Sequence, residues 1–140
     1  MDTKKLDAEL IALVEKRMEL SGMDYSDARY DDVEEQLHDM EDAFIEKYGD
    51  FLEEALEEVH DSNRVDSDVL LPIAYLAKSY EKAGQHADGQ PIYEVSVTEG
   101  VWVESEKYPG KEARLVIIPS PTRIVMSVGR HREEVWSLEV

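Results

Sequence analysis

The sequence predicts an α+β fold: about four N-terminal helices packed on a C-terminal antiparallel meander of about five strands, in one domain spanning residues 1–140. Apolar residues recur at helical spacing through residues 1–84, then alternate or run in short β-branched bursts over residues 85–140. Glycine and proline stand between the periodic stretches, where turns and caps need them. A chain of 140 residues, 42% of them hydrophobic, is long enough to bury a core.

Leu6, Leu10, Leu13, Val14 and Leu20 place a stripe on one side of a first helix, which Gly22 is positioned to stop. Arg17 falls inside the stripe and reads as a snorkelling side chain near the helix end. A second pattern runs through Val33, Leu37, Met40, Phe44 and Tyr48 and stays in phase through Phe51, Ala55 and Val59. Gly49, Asp50 and Glu53 supply a stop and then a capping box. One helix of some 32 residues would extend about 48 Å, whereas a domain of this size has a radius of gyration of about 14 Å. Two helices meeting near Gly49 are therefore expected. A fourth follows Asp68 in "VLLPIAYLAKSYEKAG", with Pro72 in its first turn and Gly84 closing it. Its Leu70, Leu71, Ile73, Leu76, Ala77 and Tyr80 wrap most of the circumference, as in a buried helix.

In "IYEVSVTEGVWVES" the three-residue loop Thr98-Glu99-Gly100 pairs Val97 with Val101 and Val95 with Val103, with glycine where φ must be positive. "YPGK" is a type II turn signal leading into "ARLVII", a central strand because Leu115 to Ile118 is apolar on both faces. "PSPT" and then "GRHR" separate the last strands, "RIVMSV" and "EVWSLEV". On this pairing Val95, Val97, Val101, Val103, Val116 and Ile118 share one buried face.

The net charge of −18 is unevenly spread: residues 27–61 hold 15 acids against Arg29 and Lys47, a net of −13. Such a surface repels nucleic acid and anionic membranes and favours basic partners, although the same acids also keep a helix face solvated. The chain has no cysteine, which excludes disulfides and thiol chemistry and suits a reducing cytoplasm. "MDTKKLDAEL" has no apolar h-region, so no signal peptide is expected, and no apolar run approaches 18 residues.

Two Glu-x-x-His pairs, Glu35 with His38 and Glu57 with His60, supply half of a di-iron bundle site. Advancing about 100° per residue from Val33 puts Glu35, His38, Glu57 and His60 between about 140° and 240°, away from apolar groups centred near 20° and 70°. Both pairs should face water, and no metal or other cofactor is expected. The connector "DSNRVDSD" lacks the glycine and the terminal bidentate glutamate of a calcium loop, and Asp68 reads as a helix cap. There is no glycine-rich phosphate loop and no Gly-x-Ser-x-Gly elbow, and the seven glycines fall at predicted element boundaries.

The sequence thus points to a cytoplasmic, non-enzymatic protein-interaction module. Its acidic helical ridge, Glu35, Asp39, Asp42 and Glu46, would meet a basic protein. Arg130 and Arg132 in "GRHR" could dock an acidic helix, including that of a second copy of the chain. No direct contact with nucleic acid or membrane is expected. The alternative is a small enzyme or ligand-binding protein with a pocket between helices and sheet, lined by Tyr75, Tyr80, Trp102 and Trp136.

Overall fold

The computed structural model describes residues 2–138. Two helices, α1 (Thr3–Ser21) and α2 (Tyr30–Ser62), precede a short 3-10 turn (Pro72–Tyr75). Six strands follow: β1 (Glu81–Gln85), β2 (Pro91–Glu94), β3 (Val101–Val103), β4 (Ala113–Ile118), β5 (Arg123–Val128) and β6 (His131–Ser137). They form two antiparallel sheets, the β1–β2 hairpin and a meander in the order β3-β4-β5-β6. The protein is α+β, with helices first and antiparallel strands after them, but two helices stand where four are expected.

α1 follows its stripe. Asp2 caps it by accepting from the Lys5 amide at 3.1 Å, and Leu6, Leu10, Leu13 and Val14 are buried. Gly22 ends it, donating its amide to the Met18 carbonyl at 3.1 Å. Arg17 does not snorkel. Its guanidinium lies 2.8 Å from the Glu41 carboxylate of α2 and donates to the Ala77 carbonyl, because the stripe is where α2 and the 3-10 segment pack.

α2 runs unbroken for 33 residues, about 50 Å at 1.5 Å per residue, and Gly49 sits inside it. A mid-helix glycine costs about 1 kcal/mol. Each of the buried Phe44, Tyr48, Leu52, Leu56 and Val59 around it gains about 1.5–3 kcal/mol, so the stop signal is overridden. A radius of gyration does not bound a rod lying along one side of a domain. The buried face also turns along the helix. Leu52, Leu56 and His60, spaced four residues apart, lie about 120° round from Val33, Leu37 and Phe44. The chain leaves α2 through Arg64 at φ 56° and returns along this second face, where the 3-10 turn packs.

The fourth predicted helix is absent. Leu71 and Leu76, on either side of the 3-10 turn, are extended (ψ 142° and 145°), and Glu81–Gln85 is a strand with Gly84 at φ 102°. Asp68 therefore caps no helix. The competing demand is the edge of β4, which outruns the three-residue β3. Leu76 bridges Ile117 in parallel, and the Tyr80 hydroxyl accepts from the Ala77 amide (2.9 Å) while donating to the Ile117 carbonyl (2.8 Å). An extended chain makes these bonds and a helix cannot.

The turns at "YPGK", "PSPT" and "GRHR" join β3–β4, β4–β5 and β5–β6, and β4 is central, as read from the sequence. Gly110 has φ 75° and the Lys111 amide reaches the Tyr108 carbonyl at 3.2 Å, as a type II turn requires. The Val97–Val101 hairpin is not formed: β2 pairs with β1, and Val97 is exposed. The Glu99 carboxylate instead accepts from the Lys78 and Ser79 amides at 3.2 and 2.9 Å. Val101 lies opposite Leu115 and Val103 opposite Ala113, so Val116 and Ile118 occupy the other face of the sheet. Both faces of β4 are buried, so burial could not fix its parity.

Candidate functional site

Glu35, Asp39, Asp42 and Glu46 are spaced i, i+4, i+7 and i+11 along α2 and confine themselves to an arc of about 60°. All four are exposed, opposite the face that packs on α1. None of them is in an ion pair among the described residues, and Lys47, the one lysine of the helix, is drawn away to Glu9 at 2.9 Å. Glu54, Glu57, Glu58 and Asp61 extend the exposed acid along the helix to its C-terminal end. The ridge is a continuous anionic surface without internal neutralisation.

Arg130 and Arg132 belong to another element. Arg130 is exposed in the β5–β6 turn, whereas Arg132 is half-buried and donates to the Val95 carbonyl. Arg132 thereby ties the chain after β2 to the meander. Arg123 does the same from β5, donating to the Tyr93 carbonyl at 3.3 Å; burial pushes its pKa below the ordinary arginine value.

Glu35, His38 and Glu57 face water as expected, but His60 does not: it is 3% exposed. Its Nδ1 lies 2.9 Å from the Ser67 carbonyl and its Nε2 3.3 Å from the Tyr75 hydroxyl. The rotation of the buried face along α2 explains the difference, since an average apolar direction puts His60 outside. Among the described residues no three His, Asp or Glu side chains gather where they could hold a metal ion.

The four aromatics expected around a pocket lie in different surroundings. Tyr75 and Tyr80 are core side chains with bonded hydroxyls, and Trp136 packs edge-on against Phe51 at 6.1 Å. Trp102 alone of the four is exposed, and it forms a wall of an open cleft of about 1010 Å³. The cleft lies between Asp66–Ser67, just past α2, and the β3–β4 loop with its Tyr108 and Pro109. Four carboxylates line it (Asp66, Glu104, Glu106, Glu112) against one ammonium, Lys111. Asp66 and Glu104 are missing from the sequence-predicted site. The alternation Val101-Trp102-Val103-Glu104 is the signal that turns Trp102 and Glu104 outward, and it is overlooked when the two tryptophans are treated alike.

Among the described residues no helix is long and apolar enough to cross a membrane. Comparison with protein-family models, curated proteins and solved structures finds no match to this chain.

Proposed function

We propose that this chain is a non-enzymatic interaction module that binds a basic protein through the acidic ridge of α2. The observation that carries the reading is the row Glu35, Asp39, Asp42 and Glu46, exposed and without counter-ions among the described residues. Carboxylates four apart on a helix repel by a few tenths of a kcal/mol per pair, which lysines at alternate positions would turn into attraction. A ridge kept uniformly acidic gives up that stability and gains a long-range field. Such a field speeds encounter with a basic surface and rejects acidic ones. The absence of cysteine fits a reducing, cytoplasmic setting for this work.

The test is affinity capture from native extract at two ionic strengths. The screening length falls from about 10 Å at 0.1 M salt to about 3 Å at 1 M. Bound proteins should carry strongly basic surfaces and be released over that range. Partners that are acidic, or held equally well at both salt concentrations, would contradict the proposal.

A further inference from the structure

We infer that the cleft beside Trp102 seats an arginine or lysine side chain projecting from a basic segment of a partner protein. This deepens the binding reading above and takes the partner's charge from it, while the geometry of the cleft is independent of the ridge.

The indole is the first argument. Trp102 is 52% exposed, whereas the chain's other tryptophan is packed against Phe51. Burying exposed aromatic surface is favourable, and the fold leaves that gain unused at Trp102. The register explains the direction: Val101 and Val103 turn to the core, and Trp102 turns away with its cross-strand partner Arg114. The Arg114 guanidinium is engaged by Glu112 at 2.7 Å.

The charges select the occupant. Glu106 is paired with Arg64 at 3.3 Å and Glu112 with Arg114, but Asp66 and Glu104 have no ion pair among the described residues. An anion would be repelled by this wall and by the −18 protein behind it. A neutral apolar ligand would cover Trp102 at the expense of stripping water from two unpaired carboxylates. A cation on an aliphatic or planar stem satisfies both. Its stem lies on the indole face, where cation–π attraction is strongest for tryptophan, and its N–H groups reach the carboxylates.

Position supports the same occupant. The exposed acids Glu57, Glu58 and Asp61 carry the ridge to the end of α2, and Asp66 at the cleft follows in the chain that leaves the helix. A basic segment drawn along the ridge arrives at the cleft.

The experiment uses the full chain with Trp136→Phe, so that emission reports Trp102 alone, titrated with a tetra-arginine amide. Tetra-citrulline, the neutral isostere, is the control. A saturable change in Trp102 emission with arginine and none with citrulline is expected. Calorimetric affinity should fall about fivefold or more with Trp102→Leu, and again with Asp66→Asn plus Glu104→Gln. Circular dichroism verifies that each variant is folded. Reversal of the four ridge charges should leave a saturable emission change, because the cleft is intact. Two results overturn the inference: an unresponsive Trp102, or a folded Trp102→Leu protein that binds the peptide as tightly as its parent. If the peptide is lost on ridge reversal but indifferent to Trp102→Leu, the cleft fails and the ridge stands. Loss on Trp102→Leu with retention on ridge reversal supports the cleft and leaves the ridge to be judged by the capture experiment above.

Discussion

His60 Nδ1 sits 2.9 Å from the carbonyl oxygen of Ser67, seven positions further along the chain. The ring therefore donates from Nδ1 and accepts at Nε2 from the Tyr75 hydroxyl, which itself accepts from the Leu70 amide at 3.0 Å. One side chain on the second buried face of α2 thus pins the whole returning segment. His60→Ala would open a cavity and take the partner from the Ser67 carbonyl and the acceptor from the Tyr75 hydroxyl proton, and should cost about 3 kcal/mol in urea unfolding. A loss below about 0.5 kcal/mol, the range of surface substitutions, would place His60 in solvent after all.

Continuity of α2 predicts an unusual tolerance at Gly49. An added Cβ would lie 3.2 Å from Ile45 Cγ2, a side-chain rather than a backbone atom of the same helix. Gly49→Ala should therefore be neutral or stabilise by up to about 1 kcal/mol. Marked destabilisation would indicate a helix break at that position.

Gly100 is the opposite case. Its φ is 103°, and a Cβ there would fall 2.4 Å from the Leu115 carbonyl oxygen, which is backbone and cannot yield. Gly100→Ala should cost about 3 kcal/mol or more, measured by chemical denaturation. A small effect would place the segment before β3 farther from β4.

These positions also show what the sequence made legible. The α1 stripe, the turns joining β3 to β6, the central β4 and the positive φ at Gly100 all follow from local chemistry: periodicity, Pro-Gly turns and glycine's missing Cβ. The ridge was equally readable, because exposed acids at i, i+4 and i+7 need only a helix to align them. Three failures share one cause. Gly49, the Leu70–Tyr80 segment and the Val95–Val97 stretch each had a sound local preference that a distant contact outweighed. The α2 core overrode the glycine, the edge of Ile117 claimed Leu76 and Tyr80, and Glu99 was taken by the Lys78 and Ser79 amides. The Trp102 cleft was illegible because its two sides, Asp66 and the β3–β4 loop, meet only in the fold.

Alkaline stability follows from the tyrosines. The hydrogen bond from Tyr48 to the Glu9 carboxylate raises its pKa to about 12, and burial raises that of Tyr93 to about 12. Burial pushes Tyr75 and Tyr80 upward as well. A pKa raised above the unfolded value near 10 means that the folded state keeps the neutral phenol. The resulting stability is complete below pH 10 and is lost as pH rises from 10 to 12. Urea midpoints measured across that interval should fall, less steeply in Tyr48→Phe. A midpoint unchanged to pH 12 would contradict the assignment.

The central claim, that position on α2 rather than total charge recruits the partner, is tested most directly by two charge-matched variants. One reverses Glu35, Asp39, Asp42 and Glu46 to lysine; the other reverses Glu81, Asp88, Glu94 and Glu134, exposed acids of the β part. Each carries four changes of +2, from −18 to −10. Both should fold, and capture of basic partners in 0.15 M salt should be abolished in the first and retained in the second. Equal capture by the two variants, or equal loss, would reduce the ridge to a solvated helix face.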